Sequence, residues 1–351
     1  MNDLPYLKWM AANTETDWCN DSAMMDDIDN ALGHGASGCT SNPPLSYQVL
    51  TTTPEVFGEE LERFPRNLSG DAKAVELIGI VVRTIARKLE PLFHQSNETR
   101  GYIRAQVQPG LSADAKAMLE SGKKFASWGR NIKVKIPGTA AGMWVLEELA
   151  ALGIPTNPTV CVSISQMIAA AEAYERGIKR AVEAGIKPAH STSAFVMGRL
   201  QDYLTMLNEQ RGTGLTTWEL ECAALAAAKR CYAIFRERGY RQMIMPAAFR
   251  CARQVTELSG SATEMTIHPM IQELVRIADA KGEVEYRVAI DNPVDQEAVE
   301  KVIRALPEFA LAYEPDGLRE ADFDFYGATA LTLDNFDRNG WQLLKNMEIP
   351  V

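Results

Sequence analysis

The chain has 351 residues, of which 46% are hydrophobic, and its formal net charge at pH 7 is −10. A chain of this length can form two domains or one large α/β barrel, and its apolar content is sufficient for an extensive core. The acidic balance argues against nucleic acid or a membrane surface as a partner, because both select basic patches.

The sequence shows no signal peptide and no run of about 18 apolar residues that would span a membrane. The six cysteines have no spacing typical of a disulfide framework, which favours reduced thiols. The four histidines, at positions 34, 94, 190 and 268, are not spaced as metal ligands. We therefore expect a cytoplasmic protein that uses no metal and no organic cofactor.

Strands and amphipathic helices alternate along the chain. The predicted strands are residues 16–21, 38–42, 102–107, 132–136, 155–161, 191–196, 242–246 and 265–267. Predicted helices between them include residues 72–90, 113–122, 140–152, 165–184, 216–238 and 269–281. Eight strands with helical crossovers predict a closed parallel (β/α)8 TIM barrel, with a doubly wound open sheet as the alternative.

We expect a single barrel domain over residues 1–351, with the barrel core at about 15–281. The rest of the chain, about 282–351, becomes rich in Glu and Asp and ends in a predicted helix near 335–347. We interpret this part as an appendage that packs on the barrel, with a position across the barrel mouth as one option.

The fourth predicted strand contains two lysines. Side chains alternate along a strand, so Lys133 and Lys135 share one face of it. Burial disfavours the charged form of an amine, and a neighbouring cation lowers its pKa further from about 10.4. The pair is consistent with a nucleophilic lysine, although lysines whose amines reach solvent give the same pattern.

Five motifs stand in the order and spacing of the transaldolase family, which the chain resembles from about Asp17 to Leu274. They are GCTSNPPL (38–45), KIPGT (135–139), GIPTNPTV (153–160), SAFVMGR (193–199) and MPAAFR (245–250). The resemblance implies a barrel with its active site at the C-terminal strand ends. It also implies the transfer of a dihydroxyacetone unit between sugar phosphates, as in pentose phosphate metabolism, without a cofactor.

The resemblance also implies roles for individual residues. Lys135 would form a Schiff base, and Asp21 would act as the acid/base carboxylate. Thr159 and Gln106 would hold a water molecule that relays protons. The substrate would contact Asn42, Thr40, Asn157, Ser193, Phe195, Arg199 and Arg250, with the two arginines on its anionic group.

The chain departs from the transaldolase pattern at several of these positions. Gln106 stands where transaldolases usually have glutamate, and the related fructose-6-phosphate aldolases also have glutamine. Phe195, in contrast, matches the transaldolases, since those aldolases have tyrosine. Met197 is an extra residue before Arg199, and Ala248 replaces a serine that adds a hydroxyl to the anion site.

The sequence therefore predicts a transaldolase-like transferase for sugar phosphates or related anionic sugars, with Phe195 favouring transfer over hydrolysis. One alternative is a Schiff-base aldolase, or a transaldolase acting on a modified ketose such as a sulfonated one. Another is a non-catalytic barrel that binds sugar phosphates or partner proteins. A homodimer is an open option for its assembly.

Overall fold

The computed structural model of the protein describes residues 3–349. Its eight strands are β1 (Asp17–Asn20), β2 (Gly38–Thr40), β3 (Tyr102–Gln106), β4 (Ile132–Pro137), β5 (Thr156–Thr159), β6 (Thr192–Phe195), β7 (Met243–Pro246) and β8 (Glu264–Ile267). Each lies at a predicted position, and its ends differ from the prediction by at most two residues.

All strand pairs are parallel, and the strands follow one another around a ring. Six of them form a sheet in the order β5-β4-β3-β2-β1-β8, and β6 pairs with β7. Isolated parallel bridges join the two groups: Thr156 with Ser191 and Cys161 with Phe195 between β5 and β6, and Ala247 with Thr266 between β7 and β8. The predicted TIM-barrel type of fold is thereby confirmed, and the open sheet is excluded.

Helices connect and surround the strands. They are α1 (Pro5–Asn13), α2 (Met25–Gly33), α3 (Pro43–Thr52), α4 (Gly58–Glu62), α5 (Gly70–Gln95), α6 (Ala115–Ala126), α7 (Ala140–Ala151), α8 (Ile164–Glu183), α9 (Met197–Arg211), α10 (Thr217–Arg238), α11 (Ala252–Thr256), α12 (Pro269–Ala280), α13 (Gln296–Ala305), α14 (Pro307–Tyr313), α15 (Gly327–Phe336) and α16 (Gln342–Asn346). Short 3-10 turns lie at Pro54–Phe57, Pro109–Leu111 and Glu320–Phe325, and a π-helical turn joins α15 to α16 at Asp337–Trp341.

The strands are almost wholly buried, and alternation along them separates two environments. On β4, Val134 and Ile136 belong to the apolar core between the strands and the helices. Lys133 and Lys135 point the other way, into the barrel, and are also buried. The side chains of β4 that face the interior of the barrel are therefore charged. Alternation along the sequence predicts this arrangement for β4.

The C-terminal part of the chain crosses the end of the barrel at which the strands finish. Four of its contacts are with residues that follow the C-terminal end of a strand, which places this segment over the mouth, the option that the sequence left open. The contacts are Asp324 with the N–H of Ala140, Thr329 with Gln166, Asn335 with Arg199, and Gly340 against the backbone of Pro43 and Pro44.

Within residues 3–349, no helix combines the length and the apolar character that a membrane crossing requires.

Candidate active site

Lys135 lies near the C-terminal end of β4 with its amine inside the barrel. In the strand register it is level with Gln106 on β3 and with Asn157 on β5. Its Nζ donates a hydrogen bond of 3.1 Å to the carbonyl oxygen of Ser41. Its side chain is 7% exposed, against 0% for Lys133. Of the two lysines on this face, Lys135 is therefore the one that the barrel mouth can reach.

The surroundings of Lys135 make its amine a better nucleophile. Burial lowers its pKa from 10.5 to about 8, the Asp21 carboxylate opposes this change, and the Arg104 guanidinium adds to it. A buried ammonium loses its hydration, and a nearby cation disfavours its charge further. A substantial fraction of Lys135 is consequently neutral near physiological pH, which attack on a carbonyl requires.

Asp21 stands at the mouth, directly after β1, and is held by a short chain of hydroxyl groups. Thr40 Oγ1 on β2 donates to Asp21 Oδ1 at 2.5 Å. Thr266 Oγ1 on β8 lies 2.6 Å from Thr40 Oγ1 and can supply the next hydrogen bond. Helix α2 begins only at Met25, with Met24 at its cap position, so Asp21 is not a helix cap. The Asp21 carboxylate is therefore not used to cap α2.

Gln106 and Asn157 bring amide groups to both sides of Lys135. Neither amide atom of Gln106 has a hydrogen-bond partner among residues 3–349, although the side chain is buried. Asn157 donates from Nδ2 to the Thr192 carbonyl at 2.6 Å, but its Oδ1 has no partner in the same residues. Buried polar groups without partners cost about 1–3 kcal/mol each, which a bound water or substrate would offset.

Asn42 and Thr159 complete the polar groups at the strand ends. Asn42 Oδ1 accepts from the N–H of Leu45 at 2.9 Å and caps α3, which leaves its NH2 group able to donate elsewhere. Thr159 is buried and precedes Val160, whose φ of 58° lies in the left-handed region. That region is unfavourable for a β-branched residue, and such strain collects at functional sites.

Two predicted substrate residues, Ser193 and Phe195, are not brought to this group. Thr192 on the same strand faces the barrel interior, where its hydroxyl lies 3.1 Å from Asn157 Nδ2. Ser193 Oγ instead lies 3.3 Å from the Met167 sulfur on α8, outside the barrel. Alternation then turns Phe195, which is fully buried, towards the helices as well. In this register of β6, both side chains lie on its outer face.

Arg199 and Arg250 do come together, around one carboxylate. Arg250 donates from Nε and Nη2 to the two oxygens of Asp202, at 2.7 and 2.5 Å. Arg199 Nη1 is 3.9 Å from Asp202 Oδ2. Burial and the charge of Arg250 lower the pKa of Arg199 from its ordinary value, while Asp202 and Asp21 oppose this. The two guanidinium groups thus lie at the mouth, within the field of the acid/base candidate.

The extra residue before Arg199, Met197, lies at the start of α9 and is fully buried. Gly198 follows, and a Cβ at this position would lie 1.6 Å from the Ala248 carbonyl oxygen. Only glycine permits this approach, which brings α9 against the loop that carries Arg250. Ala248 itself has a φ of 60° and offers no side-chain donor.

A second polar layer lies below Lys135. Arg104 donates to Glu264 in a buried ion pair. Lys133 Nζ lies 2.8 Å from His190 Nδ1 and 3.7 Å from Glu264 Oε2. Burial lowers the pKa of Lys133 to about 7, and Arg104 adds to this effect. This layer is enclosed, and it places the positive charge of Arg104 beneath Lys135.

Some residues of the site carry little signal in the sequence. Asp202 follows Arg199 by three residues, a helical spacing that brings side chains together and could have revealed it. His268, at the end of β8, caps α12 by accepting from the N–H of Met270. The polar residues that sequence reasoning missed are Thr192, Thr266, Asp202 and Asn335.

Comparison with known proteins identifies a family for this chain. Residues 18–325 match the family model described as transaldolase/fructose-6-phosphate aldolase. The chain is 31% identical to a transaldolase of Thiobacillus denitrificans over 208 residues, which is 58% of each chain. It is 29% identical to Transaldolase 1 of Streptomyces avermitilis over 206 residues, 57% of this chain and 54% of that protein.

A third relative, Transaldolase 2 of Nostoc punctiforme, is 28% identical over 197 residues, 55% of this chain and 50% of that protein. The chain therefore spans between half and three fifths of the length of these relatives. The family model covers a larger part of this chain than these pairwise matches do. It extends from residue 18, within β1, to residue 325, in the segment that crosses the mouth. The protein belongs to the transaldolase/fructose-6-phosphate aldolase family.

Proposed function

We propose that the protein is a transaldolase-type transferase that moves a dihydroxyacetone unit from a ketose phosphate to an aldose phosphate through a Schiff base on Lys135. The observation that carries this proposal is the buried Lys135 amine, with its pKa lowered to about 8, at the same barrel mouth as the hydrogen-bonded pair of Asp21 and Thr40. A nucleophilic amine and an acid/base carboxylate are the two groups that such a reaction needs.

The first stage is the formation of the Schiff base. The neutral Lys135 amine attacks the C2 carbonyl carbon of the ketose, giving a carbinolamine that loses water to become an iminium ion. A water molecule between Gln106 and Thr159 would carry the protons for this step, which accounts for the unpartnered amide atoms of Gln106. Because a glutamine cannot accept a proton at neutral pH, it would only position that water.

The second stage is cleavage of the C3–C4 bond. Asp21 takes the proton of the C4 hydroxyl, and the bonding electrons move into the iminium, which becomes an enamine while the aldose phosphate leaves. The hydrogen bond from Thr40 holds the carboxylate in place for this transfer. Asn42 and Asn157 would bind the hydroxyl groups of the three-carbon unit.

The third stage reverses these events with a second aldehyde. The enamine carbon attacks the aldehyde carbon of the acceptor, Asp21 returns its proton to the new hydroxyl, and hydrolysis of the iminium frees Lys135. Arg199 and Arg250 would bind the anionic end of donor and acceptor in turn, since guanidinium groups suit phosphate. The same site would accept a sulfonated sugar if the anion contacts allow it.

The second candidate is a Schiff-base aldolase, which the glutamine at position 106 favours. Hydrolysis would require a proton at the enamine carbon before an acceptor arrives. On β6, the residues that share the inward face are Thr192 and Ala194, and neither is an acid. We therefore rank transfer above hydrolysis.

Product analysis separates the two candidates. Fructose 6-phosphate is supplied with and without a four-carbon aldose phosphate, and free dihydroxyacetone and the new ketose phosphate are measured. The proposal expects a new ketose phosphate and little free dihydroxyacetone. Equal release of dihydroxyacetone in both conditions would identify an aldolase, and no reaction with phosphorylated or sulfonated ketoses would favour the non-catalytic barrel.

We further propose that the protein works in the cytoplasm. All six of its cysteines are free thiols, and five of them are buried. Free thiols are typical of reducing compartments.

A further inference from the structure

The surroundings of Arg199 contain a donor from the C-terminal segment. Arg199 Nη2 donates to Asn335 Oδ1 at 3.2 Å, and its guanidinium carbon lies 5.9 Å from the ring centroid of Phe336. Both partners belong to α15, which crosses the barrel mouth. Because a guanidinium group can only donate, the oxygen of the Asn335 amide must face Arg199 and its nitrogen must point elsewhere.

That nitrogen is available for a further bond. Among residues 3–349, the only side-chain hydrogen bond of Asn335 is the one that its Oδ1 accepts from Arg199, so Nδ2 of this half-buried side chain donates to no protein group. The oxygen and nitrogen of an amide are bonded to the same carbon, and the oxygen of Asn335 already contacts Arg199. An anion bound to Arg199 therefore lies close to Asn335 Nδ2. The segment that carries Asn335 is also well anchored, since Trp341 Nε1 donates to Asp71 at 2.9 Å and Thr329 accepts from Gln166 at 3.2 Å.

Arg250 has fewer donors to offer. Its Nε and one Nη2 hydrogen are directed to Asp202, and its Nη1 donates to the carbonyls of Ala248 and Phe249 at 2.7 and 3.1 Å. Of the five N–H groups of a guanidinium, only one remains for a ligand. Ala248, on the same loop, has no polar side chain. An anion bound to Arg250 must therefore accept its further hydrogen bonds from other residues, and Arg199 and Asn335 are the candidates.

We propose that Asn335 donates a hydrogen bond from Nδ2 to the anionic group of the substrate, so that the C-terminal segment completes the anion site. This inference rests on the proposed function, which places that anion at Arg199. It makes Asn335 a binding residue and not only a neighbour that orients Arg199.

Titration calorimetry of the full chain with inorganic phosphate tests the inference. Asn335→Ala should weaken phosphate binding about tenfold, the loss expected for one hydrogen bond to a charged ligand. Asn335→Asp separates donation from orientation, because it keeps an acceptor for Arg199 but removes the donor and adds a negative charge. It should weaken binding more than Asn335→Ala does. Asn339→Ala, at an exposed position on the same segment, is the matched control and should bind phosphate as the unmodified protein does.

Three results would overturn the inference: no phosphate binding by the unmodified protein, unchanged binding by Asn335→Ala, or binding by Asn335→Asp as tight as that of the unmodified protein. Thermal unfolding of each variant identifies a loss of fold. The titration needs no turnover, so it can fail independently of the proposed reaction. Weaker phosphate binding by Asn335→Ala, in a protein that forms no Schiff base, would support the anion site and overturn the proposed function alone.

Discussion

Lys133 and Lys135 lie two residues apart on β4 and point into the same barrel, yet their amines have different partners. Lys133 Nζ is enclosed beside His190 and Glu264, whereas Lys135 Nζ bonds a carbonyl of the loop after β2. Burial lowers the pKa of both, to about 7 and about 8. A lowered pKa therefore does not identify the nucleophile in this protein. Our proposal of Lys135 therefore rests on its access from the mouth and on the nearby carboxylate of Asp21.

The rate of Schiff-base formation should depend on pH through Lys135. The protonated amine is not a nucleophile, so the rate should rise as pH increases and level off above about pH 8, following the lowered pKa. The measurement is the initial rate of cyanoborohydride trapping with excess fructose 6-phosphate across this range. A rate that still climbs at about pH 10 would indicate an ordinary lysine.

Asp21 should act after the Schiff base has formed. Asp21→Asn should lower turnover at least about 100-fold, the usual contribution of a general acid or base, while trapping of the donor persists. Thr40→Val keeps the carboxylate but removes the hydrogen bond of 2.5 Å, so its effect should be smaller, about tenfold. Steady-state assays paired with intact-mass trapping measure both steps. Normal turnover in Asp21→Asn would exclude the assigned role.

The two arginines should be coupled through Asp202. Arg199→Ala should raise KM for the phosphorylated ketose about 10- to 100-fold, as expected for lost charge-assisted hydrogen bonds. Arg250→Ala should raise it as well, partly because Asp202 would then be left unpaired beside Arg199. The double variant Arg250→Ala with Asp202→Asn should recover part of that loss. If KM shows no recovery, the whole loss comes from Arg250's own contact with the anion, and the coupling through Asp202 is excluded.

The register of β6 predicts the effect of a tyrosine at position 195. Phe195 is fully buried on the face that packs against the helices, so Phe195→Tyr places a hydroxyl in an apolar core. An unpartnered buried hydroxyl costs about 1–3 kcal/mol, which urea unfolding can detect. The product ratio between transfer and hydrolysis should not change. Increased release of dihydroxyacetone without an acceptor would instead place this side chain beside the Schiff base.

The same strand marks the limit of what the sequence predicts. The eight strand positions follow from local patterns, and alternation on β4 correctly places both lysines inside the barrel. On β6 the pattern is ambiguous, because Thr192 and Ser193 are both small and polar, and Ala194 and Phe195 are both apolar. Either face of that strand can therefore point inwards, and long-range packing decides which one does.

The C-terminal segment shows a second limit. The sequence predicts a helix near its end, and the structure has α15, a π-helical turn and α16 over that stretch. Nothing local indicates that Asn335 reaches Arg199, which is 136 residues away in the chain. Contacts of this kind depend on how the whole segment packs on the barrel. The positions of the strands and the inward face of β4 were therefore predictable, whereas the inward face of β6 and the contacts of the segment across the mouth were not.

Borohydride trapping with mass analysis tests whether Lys135 is the nucleophile. The unmodified protein is incubated with fructose 6-phosphate, reduced and digested, and the modified peptide is sequenced by mass. Lys135→Met and Lys133→Met form a matched pair, since both replace a buried amine on the same face of β4. We predict an adduct on Lys135 in the unmodified protein, no adduct in Lys135→Met, and a detectable adduct in Lys133→Met. An adduct that persists in Lys135→Met, or that maps to Lys133, would contradict it.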